Sequence, residues 1–397
     1  MTRRPIVAGL VAALLAGAPL FAGNARVPPP EVLAAIVDDD PVRLPRGFDA
    51  GERPVAPPPP LLAPPTGAVR TQPEYARNRG LLIRWGSFNA ELTAIAVAVT
   101  TGDPEARVFV VVSGPSQQAS ASSTLAGAGA DLTRVDFLTA PTNSVWIRDY
   151  GPRFVEEDGA PAIVDHVYNR PRPQDDDVPV AVASSWGLAR YDLPLVHGGG
   201  NFHLFGDGTA LMTELVLDEN PGLDAADVEQ LYSDYQNLDL TIVPGFPQSY
   251  DSTRHIDMWL LPVRDRVAIV GEYEAGTGAP HTITEDTVDL LESRGYTVHR
   301  VPGWRSGGTH YTYANSVVLN RMVLVPSYSA HPTRNAQALA VFAQAFPGRQ
   351  IVPIGADAIV DFAGVFHCIV MHVPDPDFLF WDDYETGDLT VWSTSAP

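Results

Sequence analysis

Residues 258–273, MWLLPVRDRVAIVGEY, contain two apolar runs separated by Arg-Asp, which predicts a β-hairpin. The stretch ITEDTVDLLESRG (283–295) has apolar residues at three-to-four spacing and ends at Gly295, a pattern typical of an amphipathic helix. Residues 295–304, GYTVHRVPGW, then predict an apolar strand that ends at a Pro-Gly corner. Strand, corner, hairpin and helix form a unit of about 50–60 residues.

The same unit recurs along the chain. Apolar strands that end at a corner are RVDFLTAP (134–141), YDLPLVHGGG (191–200), LDLTIVPGF (238–246) and GRQIVPIGA (348–356). Further hairpin patterns are RFVEEDGAPAIVDHV (153–167), NFHLFGDGTALMTELV (201–216) and NSVVLNRMVLVPSY (315–328). The last strand pattern, FHCIVMHV (366–373), has LLIRWG (81–86) as its expected partner. We therefore predict five repeated α/β units, with one ordinary mixed α/β sheet as the alternative.

Composition narrows the classes of function. The chain has 397 residues, is 45% hydrophobic and carries a formal net charge of −21. This charge argues against nucleic acid as a partner and favours a cationic substrate. All basic side chains are arginine, so Schiff-base lysines and phosphate-loop lysines are excluded.

Three regions are predicted along the chain. Residues 1–25 have the layout of a secretory signal, with an N-terminal membrane anchor as the alternative. Residues 26–67 are a proline-rich tether, and residues 68–397 are the catalytic domain with a short C-terminal tail. No later segment is apolar enough to cross a bilayer. We expect an exported protein, periplasmic or secreted, without stable membrane insertion.

Unusual polar residues lie at the corners and hairpin starts of the five units. They are Asp149 in the first unit, His197 and Asn201 in the second, His255 and Asp257 in the third, Asn315 in the fourth and Cys368 in the fifth. If the units surround a common axis, these side chains converge at one end. His255 and Asp257 alternate along a strand-like run, so both can face one cavity. Each also has a structural interpretation, because a lone cysteine often packs as a small apolar residue.

A cysteine, a histidine and two carboxylates suggest one reaction. Two carboxylates in one pocket repel each other unless a cation lies between them, and a planar guanidinium can bind both. A thiolate can then add to the guanidinium carbon while the histidine protonates the departing ammonia. Water activated by the same histidine would release a urea. Metal-site patterns such as HExxH or paired cysteines are absent from the sequence, so we expect no metal and no other cofactor.

The motifs WIRDYGPRF (146–154), GGNFHLFGDGTA (199–210), HIDMW (255–259), YANSVVLNRMVLVP (313–326) and HCIVMH (367–372) resemble a known superfamily. It is the guanidine-modifying superfamily with a five-bladed α/β-propeller, the pentein fold, and specifically its bacterial peptidyl-arginine deiminase and agmatine deiminase branch. The resemblance implies Cys368 as nucleophile, His255 as general acid and base, and Asp149 and Asp257 as guanidinium ligands. It also implies substrate binding by Asn315, Trp146 and Asn201.

The resemblance also bears on the substrate. Arg170 and Arg172 resemble the segment with which Porphyromonas-type peptidyl-arginine deiminases bind the carboxylate of a C-terminal arginine. The expected reaction is therefore the conversion of a C-terminal arginine, in a peptide or protein, to citrulline and ammonia. A mid-chain arginine is expected to lack this contact, because the same group is then a neutral amide whose chain continues into the wall of the site. The alternatives are an agmatine deiminase, an amidinotransferase and a catalytically dead propeller that binds arginine.

Overall fold

The computed structural model describes residues 24–40, 42–56 and 63–375. Most of the predicted signal and of the C-terminal tail lies outside these residues. The strands are β1 (Val69–Arg70), β2 (Asn78–Arg84), β3 (Arg107–Val112), β4 (Val135–Thr139), β5 (Arg153–Glu157), β6 (Ala160–Tyr168), β7 (Ala189–His197), β8 (His203–Leu204), β9 (Thr209–Thr213), β10 (Asp239–Val243), β11 (Leu260–Arg264), β12 (Val267–Glu272), β13 (Thr297–Ser306), β14 (Thr309–Thr312), β15 (Val317–Leu319), β16 (Met322–Ser327), β17 (Gln350–Gly355) and β18 (Val370–Pro374). The helices are α1 (Pro30–Ala34), α2 (Asn89–Gly102), α3 (Pro115–Ala128), α4 (Ile147–Tyr150), α5 (Pro173–Asp176), α6 (Val178–Trp186), α7 (Leu215–Glu219), α8 (Ala225–Gln236), α9 (Ala279–Ser293) and α10 (Pro332–Ala345).

The strands form five sheets, and each sheet repeats the same arrangement of strands and helix. Their orders are β1-β5-β6-β7, β10-β9-β8, β11-β12-β13-β14, β15-β16-β17 and β18-β2-β3-β4. Each sheet contains an antiparallel pair followed, after a helical connection, by a parallel strand. Parallel neighbours need such a crossover connection, which α2, α5 with α6, α7 with α8, α9 and α10 supply. The predicted repeat of five α/β units is confirmed.

The fifth sheet joins the two ends of the folded domain. β18 pairs antiparallel with β2, with Val370 opposite Ile83 and Met371 opposite Leu82. This is the partner that the apolar pattern of LLIRWG predicted. Both strands are largely buried, because β2 is covered by its neighbours on either side. The pairing places Cys368, two residues before β18, beside the chain that begins the domain.

Four local predictions differ from the structure. Strand β13 continues through its predicted Pro-Gly corner to Ser306, and the strand predicted from Phe366 begins only at Val370, after the 3-10 turn His367–Ile369. The run from His255 does not begin as a strand, because Ile256–Met258 form a 3-10 turn and β11 begins only at Leu260. The amide of Trp259 donates to the Ile256 carbonyl, which closes this turn. The hairpin predicted over residues 201–216 also ends early, since its last residues belong to α7.

The core of the domain is apolar and continuous across the sheets. Its largest fully buried side chains include Trp85, Trp146 and Trp259. Burying an aromatic side chain of this size contributes roughly 1.5–3 kcal/mol or more from the apolar area removed from water. Of the helices within the described residues, none has the length and apolar character that a membrane crossing requires.

Residues 24–40 and 42–56, here called the N-terminal segment, lie against this domain. The segment contains one short helix, α1, and no strand among its described residues. Hydrogen bonds fix its backbone to the domain at separate points. In one of them the backbone amide of Asp40 donates to the Gly86 carbonyl at 2.7 Å. A second such bond runs from the Arg46 amide to the Phe362 carbonyl at 3.0 Å. The segment therefore follows the surface of the domain at the end where the polar corners meet.

Candidate active site

Three short helical turns present the four predicted catalytic side chains. Asp149 lies in α4, Asp257 lies in the turn Ile256–Met258 with His255 just before it, and Cys368 lies in the turn His367–Ile369. All four are almost fully buried, with exposed fractions of 0–1%. The structure therefore brings together side chains that are separated by up to 219 residues in the sequence, as Asp149 and Cys368 are (368 − 149).

A glycine run shapes the floor of the site. The Gly200 amide donates to Asp149 Oδ1 at 3.1 Å, and the Gly200 carbonyl accepts from the Asp257 amide at 3.2 Å. A Cβ atom at Gly200 would lie only 2.6 Å from Asp149 Oδ1 and 2.8 Å from Asp257 Oδ2. Any side chain at this position would therefore fill the space between the two carboxylates. This close approach explains the glycines of the HGGGN motif.

The guanidinium of Arg46, from the N-terminal segment, occupies the space between the carboxylates. Its Nε and Nη2 donate to the two oxygens of Asp149, both at 2.8 Å. Its Nη1 and Nη2 donate to the two oxygens of Asp257 at 3.0 and 2.9 Å. Both contacts are bidentate, the arrangement in which planar guanidinium and carboxylate groups match best. Sequence reasoning predicted this arrangement for a substrate, and here a residue of the chain itself adopts it.

Electrostatics keep both carboxylates ionised. Burial opposes the charge of Asp149, but Arg46 and then His255 outweigh it and hold its pKa well below the usual range. The pKa of Asp257 is lowered in the same way, with Arg46 as the largest favourable influence against burial. In turn, the two carboxylates outweigh the effect of burial on Arg46 and raise its pKa. The site is therefore built to hold a buried cation.

His255 lies beside the same guanidinium as a neutral imidazole. Burial and then the charge of Arg46 lower its pKa. Arg46 Nη2 lies 2.8 Å from His255 Nδ1, and Nδ1 also lies 3.4 Å from Asp149 Oδ1, so the imidazole tautomer decides whether Nδ1 accepts from the guanidinium or donates to the carboxylate. His255 Nε2 is buried without a hydrogen-bond partner in the described part of the chain. Nδ1 is placed to receive or return a proton at the Nη2 nitrogen.

Cys368 lies against Asn315 and Asp257. Its Sγ donates to Asn315 Oδ1 at 3.2 Å and lies 3.7 Å from Asp257 Oδ2. Burial raises the pKa of the thiol well above its ordinary value, and Arg46 only partly opposes this. A Cβ atom at Gly364 would meet both Cys368 Sγ at 3.0 Å and Arg46 Cδ at 3.1 Å. The absence of a side chain at Gly364 therefore leaves room for sulfur and arginine side by side.

A second group of titratable residues supports Asp257 from behind, and sequence reasoning missed it. His367 Nδ1 lies 2.8 Å from Asp257 Oδ2, and His367 Nε2 lies 2.8 Å from Glu74 Oε2. His203 completes a trio with Glu74 and His367 whose ligand atoms lie within 4.8 Å of one another, close enough to hold a metal. Arg148 already provides a cation there, since its Nη1 lies 2.5 Å from Glu74 Oε1. The only sequence signal was the histidine adjacent to Cys368.

The residues predicted to bind substrate divide into two groups. Trp146, Arg170 and Arg172 contact the N-terminal segment around Arg46: Trp146 Nε1 donates to the Leu44 carbonyl at 2.9 Å, and Arg170 Nε donates to the Arg46 carbonyl at 3.2 Å. Arg172 Nη2 donates to the Pro45 and Gly47 carbonyls at 3.0 and 3.1 Å.

Asn315 and Asn201 instead position other groups. Asn315 Oδ1 accepts from Cys368 Sγ and from the Val365 amide, while its Nδ2 donates to the Asp257 carbonyl. Asn201 Oδ1 accepts from the Thr213 and Ile256 amides, which fixes the turn that carries His255 and Asp257. Both asparagines thus position the side chains that were predicted to be catalytic.

The five-unit α/β fold and the grip of two carboxylates on a guanidinium beside a cysteine and a histidine define a class of protein: a hydrolase that deiminates guanidino groups, with the pentein fold. The family model of the Porphyromonas-type peptidyl-arginine deiminases matches residues 73–374, and the chain belongs to that family. The resemblance inferred from the motifs is thereby confirmed.

Similar proteins have two kinds of name. A candidate agmatine deiminase of Streptomyces coelicolor is 26% identical over 348 residues, which cover 77% of this chain and 98% of the relative. The solved agmatine deiminase of Enterococcus faecalis superposes with a TM-score of 0.69 at 22% identity, over 81% of this chain and 100% of that one. A structure named as a candidate arginine deiminase of Porphyromonas gingivalis gives a TM-score of 0.67 at 22% identity, over 78% and 99%. At this identity the two structures establish a shared fold.

Proposed function

We propose that this chain is a peptidyl-arginine deiminase, which converts an arginine side chain of a peptide to citrulline and releases ammonia. The observation that carries the proposal is Arg46 itself, an arginine within a polypeptide whose guanidinium lies between Asp149 and Asp257. The side chain of a peptide substrate can take the same path, because the backbone on either side of Arg46 is also accommodated.

The reaction follows from the positions of four side chains. Asp149 and Asp257 fix the plane of the guanidinium, so the Cys368 sulfur can add to its central carbon. The thiol proton is passed through His255 to the Nη2 nitrogen, the C–N bond breaks, and ammonia leaves. The carbon is then bound to sulfur as a positively charged thiouronium. Water, deprotonated by His255, adds to this carbon. The C–S bond then breaks, which releases the ureido product and restores the thiol.

Arg170 and Arg172 favour a substrate with a carboxylate close to the arginine. Arg170 Nε donates to the carbonyl of Arg46, which is where a C-terminal arginine would carry its carboxylate. Arg172 already binds a carboxylate, because its Nε and Nη2 donate to the two oxygens of Glu52 at 2.9 and 3.1 Å. Arg46 itself lies within a continuing chain, which supports acceptance of a mid-chain arginine as well. A C-terminal arginine is preferred through charge rather than through shape.

The test compares three substrates in the full chain, as wild type and as Arg46→Ala. They are a peptide that ends in arginine, the same peptide with a C-terminal amide, and agmatine. Amidation should raise KM by about 10-fold or more, from the ~1.5–3 kcal/mol of a hydrogen bond to a charged group. Arg170→Ala should remove this difference, whereas Arg266→Ala, at an exposed arginine, should leave it unchanged.

Agmatine deiminase activity is the second candidate, and the names of the similar proteins favour it. Agmatine has no carboxylate, so Arg170→Ala should not affect its KM when both are compared in the Arg46→Ala background, where Arg46 no longer competes for the site. Two results together would show that the peptidyl proposal is wrong: agmatine is turned over fastest, and the peptide and its C-terminal amide have the same KM. The agmatine deiminase hypothesis would then replace it. Release of no ammonia from any of the three substrates would identify a propeller that only binds arginine.

A further inference from the structure

Resting on this proposed function, we propose that the N-terminal segment is an intramolecular competitor of the substrate. Arg46 occupies the arginine site of its own enzyme, and residues 44–48 occupy the groove that would bind a substrate peptide. The chain with its segment in place is therefore a latent form, and turnover of an external peptide requires the segment to leave.

The backbone around Arg46 is bound as a peptide ligand would be. The Arg46 amide donates to the Phe362 carbonyl, and the Arg46 carbonyl accepts from Arg170. One residue further along the chain, Gly47 is buried. The guanidinium of Arg170 lies over the ring of Phe48, 4.2 Å from its centroid, a cation–π contact. These contacts involve only the main chain around Arg46 and one aromatic ring. A separate peptide could make the same contacts.

With the segment in place, solvent does not reach the reacting groups. Cys368, His255 and Asp257 each have an exposed fraction of 0%, Asp149 has 1%, and Arg46 itself has 0%. A competing substrate must therefore displace Arg46 before it meets any catalytic side chain. An enzyme that is competent only in a fraction of its molecules shows an affinity reduced by that same fraction.

A separate set of contacts holds the segment near the site independently of Arg46. Asp38 Oδ1 accepts from the Asn89 amide at 2.9 Å, and Asp39 Oδ2 accepts from Trp85 Nε1 at 2.6 Å. Asp40 Oδ2 lies 2.6 Å from Arg84 Nη2. Because these anchors keep Arg46 within reach, its effective concentration at the site is far above that of a free peptide.

The principal test is Arg46→Ala in the full chain, with Arg53→Ala as a matched control. Arg53 is an exposed arginine of the same segment. Within the described residues, its side chain donates a hydrogen bond to the neighbouring Glu52 carbonyl. We expect Arg46→Ala to raise kcat/KM for the preferred substrate by about 10-fold or more, since a segment bound in 90% of molecules leaves about one tenth competent. Arg53→Ala should equal the wild type. Equal kcat/KM in Arg46→Ala and wild type would overturn the proposal.

A second readout does not depend on turnover. Iodoacetamide should alkylate Cys368 slowly in the wild type and at least several-fold faster in Arg46→Ala, because uncovering the site exposes the sulfur. The triple variant Asp38→Asn, Asp39→Asn, Asp40→Asn keeps Arg46 and every catalytic residue but weakens the anchors, so it should also label faster. If both variants label as slowly as Arg53→Ala, the segment is not a cover. Faster labelling without turnover of any substrate would uphold the cover and refute only the deiminase function.

Discussion

The deiminase domain and the N-terminal segment are stabilised by opposite kinds of contact. The domain buries apolar side chains in two clusters, the larger of which has members from all five sheets. The segment contributes few buried residues, and the one that lies deepest is the charged Arg46. Its other contacts include hydrogen bonds and ion pairs at separate points, such as those of Asp38, Asp39 and Asp40, beside a few partly buried apolar side chains that pack against the core.

This difference explains why the segment can leave while the domain stays folded. Apolar burial is non-directional and accumulates with area, so the domain loses little if one surface contact is broken. The ion pairs of Arg46 instead belong to a site that any arginine side chain can satisfy equally well. Removing Arg46 without a replacement would leave Asp149 and Asp257 buried and uncompensated, which is strongly unfavourable. Release of the segment is therefore favoured when a substrate guanidinium takes its place.

The largest effect on turnover should come from Cys368, the proposed nucleophile, which does not contribute to binding the guanidinium. Cys368→Ser is expected to abolish turnover, because a hydroxyl near neutral pH is a far weaker nucleophile than a thiolate. The segment should remain docked, since the contacts of Arg46 with the two carboxylates do not involve sulfur. Ammonia release measures the first expectation, and resistance of the segment to limited proteolysis measures the second. Activity within tenfold of wild type would show that Cys368 is not the nucleophile.

The next effect should link the two regions. Asp149→Asn and Asp257→Asn each remove one charge from the grip on a buried cation, at ~3 kcal/mol or more, so kcat/KM should fall about 100-fold. The same change should loosen the segment, and proteolysis near Arg46 should become faster than in wild type. Asp136→Asn, at a half-exposed aspartate that is paired with Arg107 far from the site, serves as the control. Normal kinetics in either variant would place that residue outside the substrate site.

Much of the fold could be predicted because it depends on local patterns. The hairpin at β11–β12 and helix α9 follow from apolar periodicity and from the turn and glycine residues at their ends, whereas β13 was predicted as a strand but not to its full length. The pairing of β18 with β2 could also be predicted, since two buried apolar strands without partners remained. The turn at His255 could not, because the hydrogen bond from Asp257 to Gly200 that holds it comes from a distant unit.

The residue types of the candidate site were enough to predict that it binds a guanidinium. They did not predict that the guanidinium of Arg46 occupies it. Two carboxylates, a histidine and a thiol suggest a guanidinium wherever they lie, but the sequence does not say which guanidinium arrives. Arg43, Arg46 and Arg53 look alike within a proline-rich stretch, and no pattern in the sequence distinguishes Arg46 from the other two. Glu74 and His367 were missed for a similar reason, since they support Asp257 without touching the guanidinium.

The smallest expected effect is a change in the titration of His255. Burial and the charge of Arg46 both lower its pKa, while Asp149 and Asp257 raise it. In Arg46→Ala the opposing cation is gone and the carboxylates remain, so the pKa of His255 should rise. Departure of the segment would add to this by admitting water, and the sign is the same whether or not the segment leaves.

Histidine C–H resonances followed by NMR across pH 4–8 measure the change, with the signal assigned from His255→Asn. A histidine whose pKa is raised becomes protonated at higher pH, so Arg46→Ala should show the charged imidazole where the wild type still has the neutral form. Arg53→Ala should titrate as the wild type does. An unchanged or lowered pKa in Arg46→Ala would mean that Arg46 does not lie beside His255 in solution, and the segment would then differ from the domain in being absent from the site.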